Sequence, residues 1–424
     1  MQRHIFFTAL GGAQEVGRSS FLVDSGEKIV LDRGVKLLPA RMEYPLPVKS
    51  HLDAVVISHA HLDHTGHLPH LFLQTNTPTF LTPPTLDISK ILWFDTLKIA
   101  GLEAMQPEFT EEEIGKTEQF SFPVDYKRKI DITRNVSLEF FDAGHISGSA
   151  MTKLFFPEKV VLYTGDYKLE ETRLHAGADL HVGRVDTAII ESTYGDREQV
   201  LRKETEKIFV EKVLEVIANG GHCIVPAFAV GRSQEIISVL FEHKVHAPIY
   251  LDGMGQKASR VMLSYPKYVK NPRLLSKALG QSKWVKNKGI RKKALKEPSI
   301  VVATAGMMQG GPVLNYISNL YRDSKSAVLL TGFQVENSPG RILLETGKIQ
   351  LDGKTVDVKM QVQKFDFSGH ASQSELLKSL KKWSPEKVLL VHGDRQVLPV
   401  LKGEIESGLG IEAVIPSIGK EIVL

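Results

Sequence analysis

Apolar residues in the first half of the chain fall in short runs set between polar turns. Residues 19–23, 28–31 and 54–57 are rich in Val, Ile, Leu and Phe and are bounded by Gly, Ser or Asp, which is the pattern of strands. Residues 136–141, 153–156 and 160–164 continue the series, and a helix is predicted over 84–102. The opening residues 1–8 carry too short an apolar stretch for a signal peptide and predict a first strand. After Glu191 the rhythm changes. Residues 202–218 place apolar side chains at helical spacing, a strand follows at 223–225, then a helix over 233–243 and a strand at 248–251. This alternation predicts parallel βαβ units, with further buried strands at 299–303 and 327–330. Residues 356–365 alternate apolar and polar, as one half-buried strand does. Residues 388–391 and 411–415 predict two more short buried strands.

Composition adds little to this picture but bounds it. A chain of 424 residues that is 42% hydrophobic has more than one core's worth of apolar side chains, so two or three compact units are expected. The net charge of +4 permits an anionic substrate without arguing for one. One cysteine, Cys223, excludes an intrachain disulfide and suits a reducing compartment. No run of about 18 apolar residues is present, so no membrane span and a cytoplasmic protein are expected.

The chemistry is concentrated where strand 54–57 runs into Ser58-His59-Ala60-His61-Leu62-Asp63-His64. Three imidazoles and a carboxylate within six residues are zinc ligands by type. Alternation sets His59 and His61 on one side and leaves Asp63 and His64 to face a second ion. His67 and His70 read as ordinary histidines of the next helix. One loop cannot complete two tetrahedral sites, so other strand ends must contribute. The candidates are His145 in a Gly/Ser-rich turn, Asp166 after strand 160–164, and His392 after strand 388–391.

These residues together resemble the metallo-β-lactamase superfamily. The strand Ile29-Val30-Leu31 followed by Asp32-Arg33-Gly34 resembles its first motif, whose Asp supports the ligand loop from behind. Gly11-Gly12-Ala13-Gln14-Glu15-Val16-Gly17-Arg18-Ser19 looks like the opening of the β-CASP nucleases. Glu191-Ser192-Thr193-Tyr194-Gly195, residues 225–235, Ala305-Gly306-Met307-Met308, Thr331-Gly332-Phe333-Gln334 and Phe367-Ser368-Gly369-His370-Ala371 are similar to their later motifs. Within that family the chain resembles RNA-cleaving members, the short prokaryotic (archaeal) homologues of the nuclease subunit of the cleavage and polyadenylation specificity factor. RNA-directed members carry histidine where His392 stands, and DNA-directed members usually an aliphatic residue. The turn from Gly144 to Ser149 is closer to the polyadenylation-factor branch than to RNase J.

The resemblance implies an α/β fold, a metallo-β-lactamase αββα sandwich with an inserted β-CASP domain of parallel-sheet type. Its limits would be 1–191 for the first part of the sandwich, 192–365 for the insertion and 366–424 for the closing segment. It implies two zinc ions, one on His59, His61 and His145 and one on Asp63, His64 and His392, with Asp166 bridging. Two such ions about 3.5–4 Å apart lower the pKa of a shared water and supply hydroxide to attack a phosphodiester. His370, oriented by Glu191, would protonate the leaving oxygen, and Asp63 would count among the catalytic groups as well as the ligands. Arg232, Arg341 and Ser368 stand at motif positions for RNA contact, with a structural ion pair the equal alternative for the two arginines. Residues 283–296 hold Lys283, Lys286, Lys288, Arg291, Lys292, Lys293 and Lys296 and no acid. That tract either neutralises RNA phosphates, with Trp284 stacking on a base, or is a solvated basic face. The expected activity is zinc-dependent RNA hydrolysis in RNA processing or decay, endonucleolytic, with 5′-3′ exonucleolytic action left open by the sequence. The alternatives are a DNA nuclease or another hydrolase of the superfamily. Partners expected are RNA and a homodimer or larger RNA-processing complex. The KH domains of archaeal relatives do not fit before Met1, nor the extra C-terminal domain of RNase J relatives after Leu424.

Overall fold

The computed structural model describes residues 4–38, 41–48 and 50–424. The chain forms two compact units: Met1–Glu171, Gly177–Glu198 and Gly369–Leu424 in one, Thr172–Ala176 and Gln199–Ser368 in the other.

The first unit is built on two seven-stranded sheets. One runs in the order Glu421–Val423, Phe6–Gly11, Ser20–Asp24, Lys28–Leu31, Ala54–Val56, Thr79–Leu81, Ser121–Pro123. The other runs Glu412–Val414, Lys387–Val391, Thr187–Glu191, Val160–Tyr163, Ala150–Phe155, Ser137–Asp142, Ile130–Asp131. Because successive side chains of a strand point to opposite faces, each strand splits its apolar residues between two cores. Ile29, Leu31, Ala54 and Val56 of the first sheet meet Val161, Tyr163, Ile189 and Leu389 of the second in one core between the sheets. Val30, Val55 and Ile57 face outward and are covered by Leu68, Leu71, Leu86 and Trp93 of the flanking helices. Leu162, Ala188, Ile190, Val388 and Leu390 face the other way, under Leu376, Leu380, Leu401 and Ile405 of the helices Gln373–Trp383 and Leu398–Leu409. This is the αββα sandwich expected.

The second unit has one six-stranded sheet, Lys283–Trp284, Ile249–Asp252, Ile300–Ala303, Cys223–Pro226, Ala327–Leu330, Gln361–Lys364, with every pair parallel. Both faces are buried, as a parallel sheet requires. Cys223, Val225, Ile300 and Val302 enter one core, and Ile224, Val301, Ala303 and Val328 the other.

Two expectations are corrected. Residues 356–365 are not one strand. Lys354–Asp357 pairs antiparallel with Lys348–Leu351 in a two-stranded ribbon, and Gln361–Lys364 joins the parallel sheet. Between them the Val358 amide bonds to the Gly347 carbonyl (2.9 Å) and the Lys359 amide to that of Tyr321 (2.6 Å), so the backbone leaves one sheet before it enters the other. The first strand is Phe6–Gly11 and extends past the expected end at residue 8. Residues 1–3 of that expectation lie outside the described residues.

Candidate active site

The expected ligands follow strand ends of the first unit, with Asp63 and His64 on the short helix Leu62–Thr65. The strand Ala54–Val56 delivers His59, Lys28–Leu31 delivers Asp32, Val160–Tyr163 delivers Asp166, and Lys387–Val391 delivers His392. The strands Val160–Tyr163, Thr187–Glu191 and Lys387–Val391 are parallel, so their C-terminal ends share one edge of the sandwich. The approach there is close. A Cβ on Gly165 would stand 2.6 Å from the Ser58 Cβ, so only glycine lets the chain turn into Asp166 at this point.

Two groups of donors form around the buried Asp166 carboxylate. In the first, Oδ2 lies 3.5 Å from His59 Nε2 and 3.8 Å from His145 Nε2, and His61 Nδ1 is 3.2 and 3.1 Å from the same two nitrogens. In the second, Oδ1 lies 3.3 Å from His64 Nε2 and 3.4 Å from His392 Nδ1, while Asp63 Oδ2 is 3.3 Å from His392 Nε2 and 3.9 Å from His64 Nε2. Ligand atoms around one zinc at about 2.0–2.1 Å stand roughly 3.3 Å apart; the first group comes near that spacing, and in the second, where His392 faces Asp166 by Nδ1 and Asp63 by Nε2, one atom from each residue lies within 4.8 Å of the others. Two atoms sharpen that fit. His64 Nε2 and Asp166 Oδ1 are buried and face each other at 3.3 Å without forming a hydrogen bond, a gap that a cation between them would fill.

The ring orientations are set from behind. Nδ1 of His145 donates to the Gly369 carbonyl at 2.7 Å, which turns Nε2 toward the cluster. Nδ1 of His64 donates to Asp32 Oδ2 at 2.7 Å. Asp32 also accepts from the Ser58 amide (2.7 Å), the Ser58 hydroxyl (2.7 Å) and the Tyr163 hydroxyl (2.6 Å). Such partners orient metal-binding imidazoles and raise their basicity. Asp32 and His392 hold positive φ, 57° and 50°. The cost is of order 1–2 kcal/mol each for a side chain of this kind, met by the contacts that fix both turns. Ser58, Tyr163 and the Gly369 carbonyl were not among the candidates from sequence. Only the inward parity of Tyr163 in its strand hinted at it.

The charge states follow from burial and neighbours. Burial, with the neighbouring imidazoles, holds His59 and His145 well below the usual histidine range, so both rings are neutral. Burial also lowers His61, against the pull of Asp63 and Asp166. Burial would lower His64 too, yet Asp166, Asp63 and Asp32 outweigh it and draw a proton onto the ring. The carboxylate of Asp166 stays ionised despite burial because His392, His64 and His370 face it. The cluster thus demands positive charge, which a proton on His64 supplies in part and divalent cations would supply in full.

His370 and Glu191 lie at the same edge. His370 Nδ1 is 3.0 Å from Glu191 Oε2 and 3.9 Å from Asp166 Oδ2, and the other Glu191 oxygen accepts from the Tyr167 amide at 2.9 Å. Burial alone would lower the imidazole, but Glu191, Asp166 and Asp63 outweigh it and hold His370 up at about 9. Thr193, in the motif after Glu191, puts its hydroxyl 3.2 Å from His392 Nδ1 and 3.4 Å from His370 Nδ1.

The remaining candidates lie elsewhere. His67 and His70 stack at 4.2 Å and approach Glu108 at 3.9 and 3.7 Å. These three could hold an ion by spacing; burial, with the Arg33 guanidinium and His70, pushes His67 down to about 2. In the second unit, Arg341 lies on the helix Pro339–Thr346 and pairs with Glu345 at 2.5 Å, the structural alternative for that residue. Arg232 opens the helix Arg232–Glu242 with its guanidinium carbon 6.0 Å from the Phe367 ring centroid. The Ser368 carbonyl accepts from Arg202 at 2.6 Å, an arginine the sequence did not single out.

Asp32→Ala offers a direct check on the support from behind. It should leave the seven ligand residues in place yet weaken zinc affinity or activity about 10–100-fold. Zinc titration against a competing chelator reads this, and wild-type affinity would dissociate Asp32 from the ligand loop.

Three family models match the chain: Beta-Casp domain over residues 233–343, Zn-dependent metallo-hydrolase RNA specificity domain over 355–416, and Anti-Pycsar protein Apyc1 over 8–185. The chain is 39% identical to "Probable RNase MJ4" of Methanocaldococcus jannaschii, over 97% of this chain and 98% of that one. It is 37% identical to "RNase aCSPSF2" of Saccharolobus solfataricus, over 100% of this chain and 86% of that one. It is 35% identical to "Transcription termination factor FttA" of Methanosarcina mazei, over 96% and 69%. A crystal structure of a protein of unknown function from Enterococcus faecalis V583 shares the fold at a TM-score of 0.64 and 16% identity, covering 99% of this chain and 100% of that one. The chain therefore belongs to the β-CASP family of zinc-dependent metallo-hydrolases, together with these archaeal RNases.

Proposed function

We propose that the protein is a ribonuclease that hydrolyses RNA phosphodiester bonds with two zinc ions. The observation that carries this reading is Asp166, which turns one carboxylate oxygen to each donor group while the Glu191–His370 pair stands beside both. His59, His61 and His145 would hold one ion, and Asp63, His64 and His392 the other, with Asp166 shared. Bound there, the ions would supply a water of lowered pKa and Lewis acidity toward the phosphate oxygens.

The rest is work for the chain. Asp32 fixes His64, and the Gly369 carbonyl fixes His145, so the ligands meet substrate already aimed. Glu191 holds His370 protonated at Nδ1, and the imidazolium gives a proton to the leaving oxygen. His370 and Glu191 also lie within reach of Asp166 and His392 as a possible donor group, so metal content separates acid from ligand. The relatives named RNase support RNA as the substrate. The domain limits 1–191, 192–365 and 366–424, a cytoplasmic location, and a homodimer or larger RNA-processing complex belong to the same proposal. Among the described residues no helix is long and apolar enough to cross a membrane.

The test is cleavage of RNA labelled at either end by zinc-loaded protein, with and without chelator. Internal fragments are expected from endonucleolytic cutting and mononucleotides from 5′-3′ trimming, both abolished by the chelator. Cleavage of DNA alone, or none with zinc bound, overturns the reading.

A further inference from the structure

The second unit carries a basic cavity that the catalytic chemistry does not use. It has a volume of about 510 Å³ and opens beside the short edge strand Lys283–Trp284. Its wall includes Arg260, Lys283, Lys286 and Lys293, all exposed, together with Trp284 and the buried Tyr250. Nearby Arg291 gives its charge to Asp252 through bonds of 2.7 and 3.0 Å. Among the described residues no carboxylate does the same for the four cations of the wall. Aromatic faces steady two of them instead. The Arg260 guanidinium carbon stands 5.3 Å from the Trp284 ring centroid, and the Lys283 ammonium 5.2 Å from that of Tyr250.

Hydrogen bonds fix the aromatic ring and the helix beside the cavity. The Trp284 indole N–H donates to the Leu279 carbonyl at 3.1 Å, and the Asn287 side chain caps the helix Lys288–Lys293 by accepting from the Ile290 amide at 3.0 Å. Four like charges gathered round one concavity repel each other, and that repulsion turns to attraction when an anion enters. The volume lies in the range that accepts a nucleotide-sized ligand. An arginine beside an indole also offers a planar guanidinium for stacking, as single-stranded nucleic-acid sites do.

We propose that this cavity binds single-stranded RNA, its phosphates held by Lys283, Lys286 and Lys293 and a base stacked on the Arg260–Trp284 pair. The proposal rests on the ribonuclease reading for its ligand and names where a stretch of substrate is held by the second unit. A free phosphate or nucleotide offers part of the same chemistry, and the test separates them.

The experiment uses the full-length, zinc-loaded His370→Ala protein, so that labelled RNA stays intact while binding is read by fluorescence anisotropy across a salt series. Adding Lys283→Gln, Lys286→Gln and Lys293→Gln should flatten the dependence of log affinity on log salt by about 2, at roughly 0.7 per single-strand phosphate contact. Arg260→Lys keeps the charge and loses the planar face, and should weaken binding roughly 5- to 100-fold with the slope nearly unchanged. A slope and affinity equal to the parent in both variants overturns the site. So does displacement of the RNA by inorganic phosphate or a nucleoside monophosphate at an ionic strength where chloride does nothing, which assigns the cavity to a free anion. The two readings fail separately. RNA cleavage by the wild type with no effect of these substitutions removes the cavity alone. Lysine-dependent binding without any cleavage by the wild type removes the ribonuclease reading alone.

Discussion

Asp166→Ala should leave the chain folded, with fewer than two zinc ions bound and RNA cleavage at background. Among the described residues no other side chain reaches both donor groups through separate oxygens: Oδ2 faces His59 and His145, Oδ1 faces His64 and His392. Its loss takes one ligand from each ion and leaves His64 and His392 without the anion they face. Metal chemistry of this type contributes several kcal/mol to the transition state, and each 1.36 kcal/mol is tenfold in rate. A loss on the order of 10³-fold or more is therefore expected. Elemental analysis gives zinc per chain, and single-turnover cleavage gives the rate. Asp166→Asn controls for shape: it keeps the size of the side chain and loses its charge, and should also lose an ion. Two zinc ions in both variants would show that Asp166 does not bridge.

Much of this site was legible because its candidate ligands follow strand ends. The loop from His59 to His64 declares itself by spacing, and His145, Asp166 and His392 each follow an apolar run. What spacing does not carry is orientation. His145 is aimed by a carbonyl 224 residues away, and Asp32 is joined by Tyr163 across 131 residues. Those partners follow from how the two sheets face each other, which no single segment encodes. Arg341 shows the converse. Its motif position suggested phosphate, while its helical register four residues before Glu345 favours an ion pair.

The fold divides along similar lines. Buried strands of the second unit were readable because a parallel sheet covered on both faces needs unbroken apolar runs, such as residues 300–303 and 327–330. Residues 356–365 misled because both pieces alternate in phase. The break lies at 358–360, where two amides bond to carbonyls outside either strand, and Met360 is buried where Val356, Val358 and Val362 are only half-buried. Thr172–Ala176 joins the second unit for a comparable reason. Arg173 forms bonds of 2.5–3.1 Å with Glu206, and Glu235 accepts from two backbone amides of the segment. Neither partner is near in sequence.

His370→Ala should keep zinc and lose about 10²–10⁴-fold in cleavage rate, the usual contribution of a general acid. The geometry makes His370 an acid more readily than a ligand. Its Nδ1 is committed to Glu191 at 3.0 Å, and the nearest oxygen of Asp166 is farther, at 3.9 Å. The carboxylates around it overcome burial and hold the ring protonated at neutral pH, with a pKa of about 9, which is the state a proton donor needs. An RNA with sulfur at the bridging position of the leaving group needs no proton on departure. The variant should therefore cleave that substrate at nearly the wild-type rate, whereas a ligand or a merely structural residue would show no such rescue. Glu191→Gln keeps a hydrogen bond and removes the negative charge that raises His370. Because the acid must be protonated, activity in this variant should fall away at lower pH than in the wild type, moving the alkaline limb of the rate profile down. Loss of an ion in His370→Ala, or an equal rate defect on both substrates, would reassign His370 from proton donor to ligand or scaffold.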